Sequence, residues 1–300
     1  MEGPFLAVDW GTSNLRAWRL GADGAVLRHA ELPLGVSRLT PGEAAARFES
    51  EVRPALGAEG LPALMCGMVG STLGWTLAPY IACPASLGAL AGGLVEAAPG
   101  VRIVPGLTGP GLIGPDVMRG EETQVLGWLA ADPARGRGRR LLLHPGTHAK
   151  WVRLADGAVE RFVTAMTGEI YAVMGAHGVL KFAQGDGPVD FAAFDRGVAA
   201  AGDGGALAAR LFGVRGLTVS GELAAGAVPA FVSGLLIGAE IAALWPLLAD
   251  ADENVIDVVG DEGLCALYAR VLARRGLACA VADGEGAVLA GLRRIWRAAR

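Results

Sequence analysis

The sequence predicts an α/β protein built from two related halves. Strand-like and helix-like segments alternate along most of the chain, a strand–turn–strand–turn–strand pattern occurs twice, and 52% of the 300 residues are hydrophobic, ample for a substantial core.

Three tightly connected strands are expected at residues 5–9, 15–20 and 26–31, where apolar runs are separated by Gly-rich turns. A helix follows at 41–56, a short buried strand at 63–66, a helix at 86–97, a strand at 102–104 and a helix at 121–131. Residues 134–140 (ARGRGRR) hold four Arg and two Gly and read as a flexible, solvated connector rather than a nucleic-acid patch. The pattern then restarts, with strands at 140–144, 150–154 and 159–164, helical stretches around 169–180, 191–212 and 228–249, a strand at 255–259 and helices at 264–275 and 284–297. The expected domains are therefore 1–133 and 134–300. The stretch 228–249 is long enough to cross a bilayer. It carries Glu240 near its middle and Pro246 near its end, has no basic flanks, and spaces Gly234 and Gly238 for close packing, so a buried core helix is expected.

The formal charge is −4 with 19% charged residues, which gives no polycationic surface for nucleic acid. The first ten residues lack the basic and long apolar regions of a signal peptide. Cys66, Cys83, Cys265 and Cys279 are scattered without a CxxC pair, as expected of a reduced cytoplasmic protein rather than a zinc or disulfide scaffold. The expected partner is a small molecule, not a membrane; the chain could be a monomer or a homodimer.

The repeat is the most informative feature. LAVDWGTSNLRAWRL followed by ADGAV is echoed by LLLHPGTHAKWVRL followed by ADGAV, and the offset drifts only from 135 at Gly11/Gly146 to 133 at Ala22/Ala155. Each unit is a strand, a Gly-Thr turn, a strand, an Asp-Gly turn and a strand. A strand that ends in Gly-Thr exposes backbone N–H groups with no Cβ in the way, which suits a phosphate. Two such turns could grip a polyphosphate, and Asp9 beside the first could hold Mg²⁺ against it, or merely cap an ordinary turn.

DWGTSNLR (residues 9–16) resembles the first phosphate loop of the sugar kinase, actin and heat-shock ATPase superfamily, and PGTHAKWV (145–152) resembles its second. MCGMVGSTLGW, DVMRGEETQVLG, MTGEIYAVM, VSGLLIGAEI and VVGDEGLCALYARVL narrow the resemblance to the 2-dehydro-3-deoxygalactonokinase family over almost the whole chain. The resemblance implies two actin-like (ribonuclease H-like) domains with ATP and Mg²⁺ in an interdomain cleft, and transfer of phosphate to the terminal hydroxyl of a keto-deoxy sugar acid. Other readings are a kinase for a different sugar or sugar acid, a non-catalytic sugar- or ATP-binding regulator, and a nucleotide hydrolase.

On that resemblance Asp9, Gly11, Thr12 and Ser13 form the first phosphate loop, with Asp9 as metal ligand. Gly146, Thr147 and His148 form the second, with Lys150 beside them and Gly260 on the adenosine side. His144 departs from the apolar or acidic residue expected before the second loop. Asp116 and Glu121 are the leading candidates for the base that takes the hydroxyl proton, with Glu122 behind them; the two Glu also suit the first turn of a helix by charge alone. Arg16, Ser71, Trp75 and Arg119 are placed on the substrate side. Trp75 serves equally as core, and Arg119 offers a fork for the acid or a surface salt bridge.

Overall fold

The computed structural model describes residues 3–182, 188–250 and 253–299. The chain opens with strands β1 (Phe5–Trp10), β2 (Leu15–Leu20) and β3 (Val26–Leu32), then helices α1 (Glu43–Arg47) and α2 (Arg53–Leu56) joined by one wider helical turn at Phe48–Val52. Next come β4 (Ala63–Cys66), β5 (Tyr80–Ala82), α3 (Leu87–Gly92), β6 (Val95–Ala98), β7 (Val101–Ile103), β8 (Gly106–Pro110), β9 (Pro115–Met118) and α4 (Glu121–Ala131). Strands β10 (Arg139–His144), β11 (Ala149–Ala155) and β12 (Ala158–Ala165) lead to helices α5 (Thr167–Ala176), α6 (Phe191–Ala201), α7 (Leu207–Val219) and α8 (Val228–Leu248). The last elements are β13 (Val255–Gly260), α9 (Glu262–Arg274), β14 (Ala278–Asp283) and α10 (Gly284–Ala298).

Two large sheets share one topology. The first runs β3-β2-β1-β4-β7-β6 and the second β12-β11-β10-β13-β14, so each places the third, second and first strands of its meander beside later strands, three in the first sheet and two in the second. In the first sheet β1–β2–β3 are antiparallel while β1–β4 and β4–β7 are parallel; β10–β13 is also parallel. The sequence repeat is thus a duplicated sheet. A third sheet, β5-β8-β9, was not legible in the sequence.

The chain forms two compact units. The first comprises Met1–Arg140, Arg153–Phe162 and Asp283–Arg300, and the second Leu141–Val152 and Val163–Ala282. A single cut between 133 and 134 does not describe the return of the chain to the first unit. The core of that unit takes Leu6, Val8 and Trp10 from β1, with Phe48, Val52 and Leu56 from the helical segment above them. The other face of β1 meets α10, where Phe5 stacks on Trp296 at 4.2 Å. Helix α10 also crosses α4 at reciprocal glycines: a methyl at Gly127 would fall 1.7 Å from Ala287 O, and one at Gly291 1.9 Å from Thr123 O.

The second unit is built around α8. It is apolar enough to cross a membrane by length and composition, but 67% of the window is buried inside the protein. Gly234 lies against Phe194 O of α6 and Gly197 of α6 against Phe231 O, both with no room for a methyl. Gly234 and Gly238 serve close packing here, as expected.

Several sequence expectations change. The helix expected at 86–97 ends at Gly92; Gly92-Gly93 break it, and residues 95–98 turn at Pro99-Gly100 into a strand pair with β7. The stretch 191–212 divides into α6 and α7 around Gly202, Gly204 and Gly205. The Arg-rich segment 134–140 is folded rather than a loose connector. Arg135 lies 4.7 Å over the Trp128 ring and donates to Trp128 O at 2.8 Å, while Arg139 opens β10 and pairs with Glu160 at 2.7 Å.

Candidate active site

In the first unit the chemistry gathers at the end of β1. Asp9 faces Arg16 across the hairpin, and Arg16 Nη2 donates to Asp9 Oδ2 at 2.6 Å. Cys66 Sγ lies 3.8 Å from Asp9 Oδ1. The turn between β1 and β2 has its carbonyls drawn to one side. Gly11 O accepts from Val36 N at 3.0 Å, Thr12 O from Ser37 N at 3.0 Å and Ser37 Oγ at 2.7 Å, and Ser13 O from Gly35 N at 3.1 Å. A planar trans peptide points its C=O and the next N–H in opposite directions. The amides of Thr12, Ser13 and Asn14 therefore turn away from residues 35–37, and all three residues are exposed. Successive amides aimed one way make an anion cradle. Trp10 fixes the backing segment by donating its indole N–H to Leu34 O at 2.5 Å. Gly35 is required by contact, since a methyl there would lie 2.2 Å from Ser13 C and Thr12 O.

Two glycines bring α4 to the same place. Gly67 (φ 91°) leaves room for Trp10 O and Asp9 Oδ1, and Gly120 (φ 112°) packs on Gly67 Cα at 3.3 Å from where its methyl would stand. The first turn of α4 follows directly. Glu121 accepts from Arg119 N at 3.0 Å. Glu122 accepts from Gly120 N at 2.7 Å and Thr123 Oγ1 at 3.0 Å.

Glu122 is fully buried, and burial, then the neighbouring Glu121 charge, pushes its carboxyl up to about 8 from the ordinary value of 4.5. The folded protein thus holds a proton that the unfolded chain has released between those two values, so this group's stability contribution falls as pH rises through that window. Glu122→Gln imitates the protonated form. Its Tm relative to the parent is expected to rise between about pH 5 and about pH 8.5, read by thermal melts across that range; a difference independent of pH would show that Glu122 is ionised throughout.

Asp116, the other candidate base, stands in β9 opposite Gly109, and its Oδ1 accepts from its neighbour Val117 N at 2.7 Å. Ser71 donates to Met68 O at 2.7 Å and accepts from Leu73 N at 3.2 Å, shaping the turn after β4. Trp75 packs on the core, tilted against Phe48 at 5.6 Å. Arg119 is buried, at 8% exposure. Its Nη2 donates to Ala78 O at 2.7 Å and its guanidinium lies 4.4 Å from the Tyr80 ring, while Nε and Nη1 have no hydrogen-bond partner among the described residues.

The second unit repeats part of the first arrangement. The turn between β10 and β11 carries Pro145, Gly146, Thr147 and His148. Thr147 O accepts from Glu169 N at 3.0 Å, and a methyl at Gly168 would fall 2.5 Å from Gly146 O. Gly35 and Gly168 each come three residues after the third strand of their meander. His148 Nε2 lies 2.6 Å from Glu169 Oε2. Gly260, at the end of β13, packs by Pro145 O at 3.4 Å from where its methyl would stand. Lys150 is buried in β11. Among the described residues no cluster of three or more His, Cys, Asp or Glu is placed to hold a metal by itself.

A duplicated meander-and-parallel sheet, with a glycine turn after each first strand, is the architecture of the actin-like sugar kinases, and the structure falls in that class. The chain belongs to the 2-keto-3-deoxy-galactonokinase family, whose model matches residues 9–295. A Rhizobium meliloti (strain 1021) relative named "Probable 2-dehydro-3-deoxygalactonokinase DgoK1" is 38% identical over 305 residues, covering 98% of both chains. The 2-dehydro-3-deoxygalactonokinase of Escherichia coli (strain K12) is 34% identical over 295 residues, again with 98% of both covered. A solved Sinorhizobium meliloti structure described under the same activity has a TM-score of 0.86 at 39% identity over 98% of each chain.

Proposed function

We propose that this protein transfers the γ-phosphoryl group of ATP to the terminal hydroxyl of 2-dehydro-3-deoxy-galactonate, in the cytoplasm. The observation that carries the reading is the pair of glycine turns, the first braced through three successive carbonyls and the second through Thr147 O, in a member of this kinase family. The amides of Thr12, Ser13 and Asn14 hold one part of the triphosphate, and Gly146, Thr147 and His148 another, with Lys150 and Gly260 supporting the nucleotide side.

Asp9 is the residue that would hold Mg²⁺. A single carboxylate suits this ion, which keeps waters and takes phosphate oxygens for its remaining ligands. Bound there, it would neutralise charge developing on the transferred group. Arg16 orients the Asp9 carboxylate by holding its Oδ2.

In the reaction the substrate oxygen forms a bond to Pγ, the bond from Pγ to the bridging oxygen of ADP breaks, and the hydroxyl proton passes to a carboxylate. Glu121 is the better-placed acceptor, because its helix start rests on Gly67 beside Asp9; Asp116 is the alternative. Arg119, beside the turn that holds Ser71 and Trp75, is the cation that would attract the substrate's own carboxylate.

An ADP-release assay with a panel of keto-deoxy sugar acids tests the activity. Strong turnover with another acid would reassign the substrate, and turnover without any acid would make the protein a hydrolase. Glu121→Gln is expected to lower kcat by about 10²-fold or more, with Asp116→Asn costing only a few-fold. The reverse result would move the base to Asp116.

A further inference from the structure

Helix α8 is apolar along almost its whole buried length, yet at its centre stands an acid. Glu240 is 7% exposed. Its Oε1 accepts the Trp151 indole N–H at 2.6 Å, and its Oε2 accepts the Tyr268 hydroxyl at 2.7 Å and the Thr167 hydroxyl. The carboxylate is therefore surrounded by neutral donors from three different elements. An apolar side chain would fill such a site without the desolvation of a carboxylate.

The three donors share one property: each belongs to an element that shapes the second glycine turn. Trp151 lies in β11, three residues after His148. Thr167 opens α5, and the next two residues, Gly168 and Glu169, are the ones that pack on and hydrogen-bond to the turn. Tyr268 lies in α9, which follows Gly260, the residue packed on Pro145. An indole N–H can only donate, and three donors meeting two carboxylate oxygens fix the rotamer of each partner.

We infer that Glu240 is a positioning residue for the nucleotide: its carboxylate sets the spacing of β11, α5 and α9, and through them the shape of the turn at residues 145–148. It touches no substrate. The inference rests on that turn being a phosphate loop.

The test compares Glu240→Leu, which removes the hub, with Glu240→Gln, which keeps an acceptor for Trp151 and lets the Thr167 and Tyr268 hydroxyls accept instead. Binding of a non-hydrolysable ATP analogue, KM for ATP and KM for the sugar acid are measured on the full chain. Glu240→Leu is expected to raise KM for ATP by about ten-fold or more, because small misplacements of binding groups carry large losses. KM for the sugar acid should stay unchanged, and Glu240→Gln should recover most of the ATP affinity. If Glu240→Leu fails to fold, Thr167→Val and Tyr268→Phe each remove one donor while leaving the acid, and the same selective loss of ATP affinity is expected. Equal effects on both substrates, or none in the folded variants, overturn the inference. Gly146→Asp separates the two readings. If it leaves KM for ATP unchanged, the turn is not a phosphate loop; if it abolishes ATP binding while the Glu240, Thr167 and Tyr268 variants do not, only the role of Glu240 fails.

Discussion

Gly35→Ala is expected to lower kcat/KM for ATP by about 10²-fold or more while leaving the protein folded. Its new methyl would sit 2.2 Å from two backbone atoms of the 12–13 segment, with no flexible side-chain end to yield. The turn itself must shift, and the amides of Thr12, Ser13 and Asn14 with it. Stability should drop by about 1–3 kcal/mol, the usual range for overpacking, because the β1 core of Leu6, Val8 and Trp10 stays intact. Gly213→Ala is the control. It lies inside α7 with nothing within 4 Å of the new methyl, so a gain of about 0.5–1 kcal/mol and unchanged kinetics are expected. Steady-state kinetics and thermal melts on the two variants check both outcomes. Normal ATP kinetics in Gly35→Ala would show that the first turn does not bind phosphate.

Asp9→Asn should lower kcat by at least about 10²-fold, the usual cost of removing one preorganised electrostatic group. The substitution keeps the shape but removes the charge proposed to hold Mg²⁺. It also leaves the Arg16 guanidinium with an amide oxygen in place of its carboxylate at 2.6 Å. A Mg²⁺ titration separates the two consequences. The expected result is a shift of the half-saturating Mg²⁺ concentration to higher values together with the fall in kcat. A fall in kcat with an unshifted titration would confine Asp9 to orienting Arg16.

The duplicated architecture was legible because it rests on local signals. The Gly-Thr and Asp-Gly turns, the apolar strands and the helix start at Glu121 all follow from residue type and spacing, and α4 begins and ends where the pattern places it. The short sheet β5-β8-β9 was not legible, because its strands have only three to five residues, two of them contain Gly or Pro, and they owe their pairing to one another rather than to any periodicity. The brace glycines share the period of the repeat: Gly35 and Gly168 stand 133 apart, the same offset as the two ADGAV turns. In the sequence Glu240 is only an interruption in an apolar stretch, since its three partners lie 28, 73 and 89 residues away. Residue type alone presents Arg119 as an open fork; its burial under Gly70 beside Tyr80 follows from the path of residues 67–80.

The crossing of α4 and α10 has a consequence for biosynthesis. Every residue from Leu141 to Ala282 leaves the ribosome before the helix that covers Phe5 and locks Gly127. Until then β1 lacks the Trp296 ring on one face, and the helix bearing Glu121 lacks its partner at Gly127. The unit translated first is thus the one completed last, and a nascent chain could close its second half while Asp9 and Glu121 still await their final scaffold.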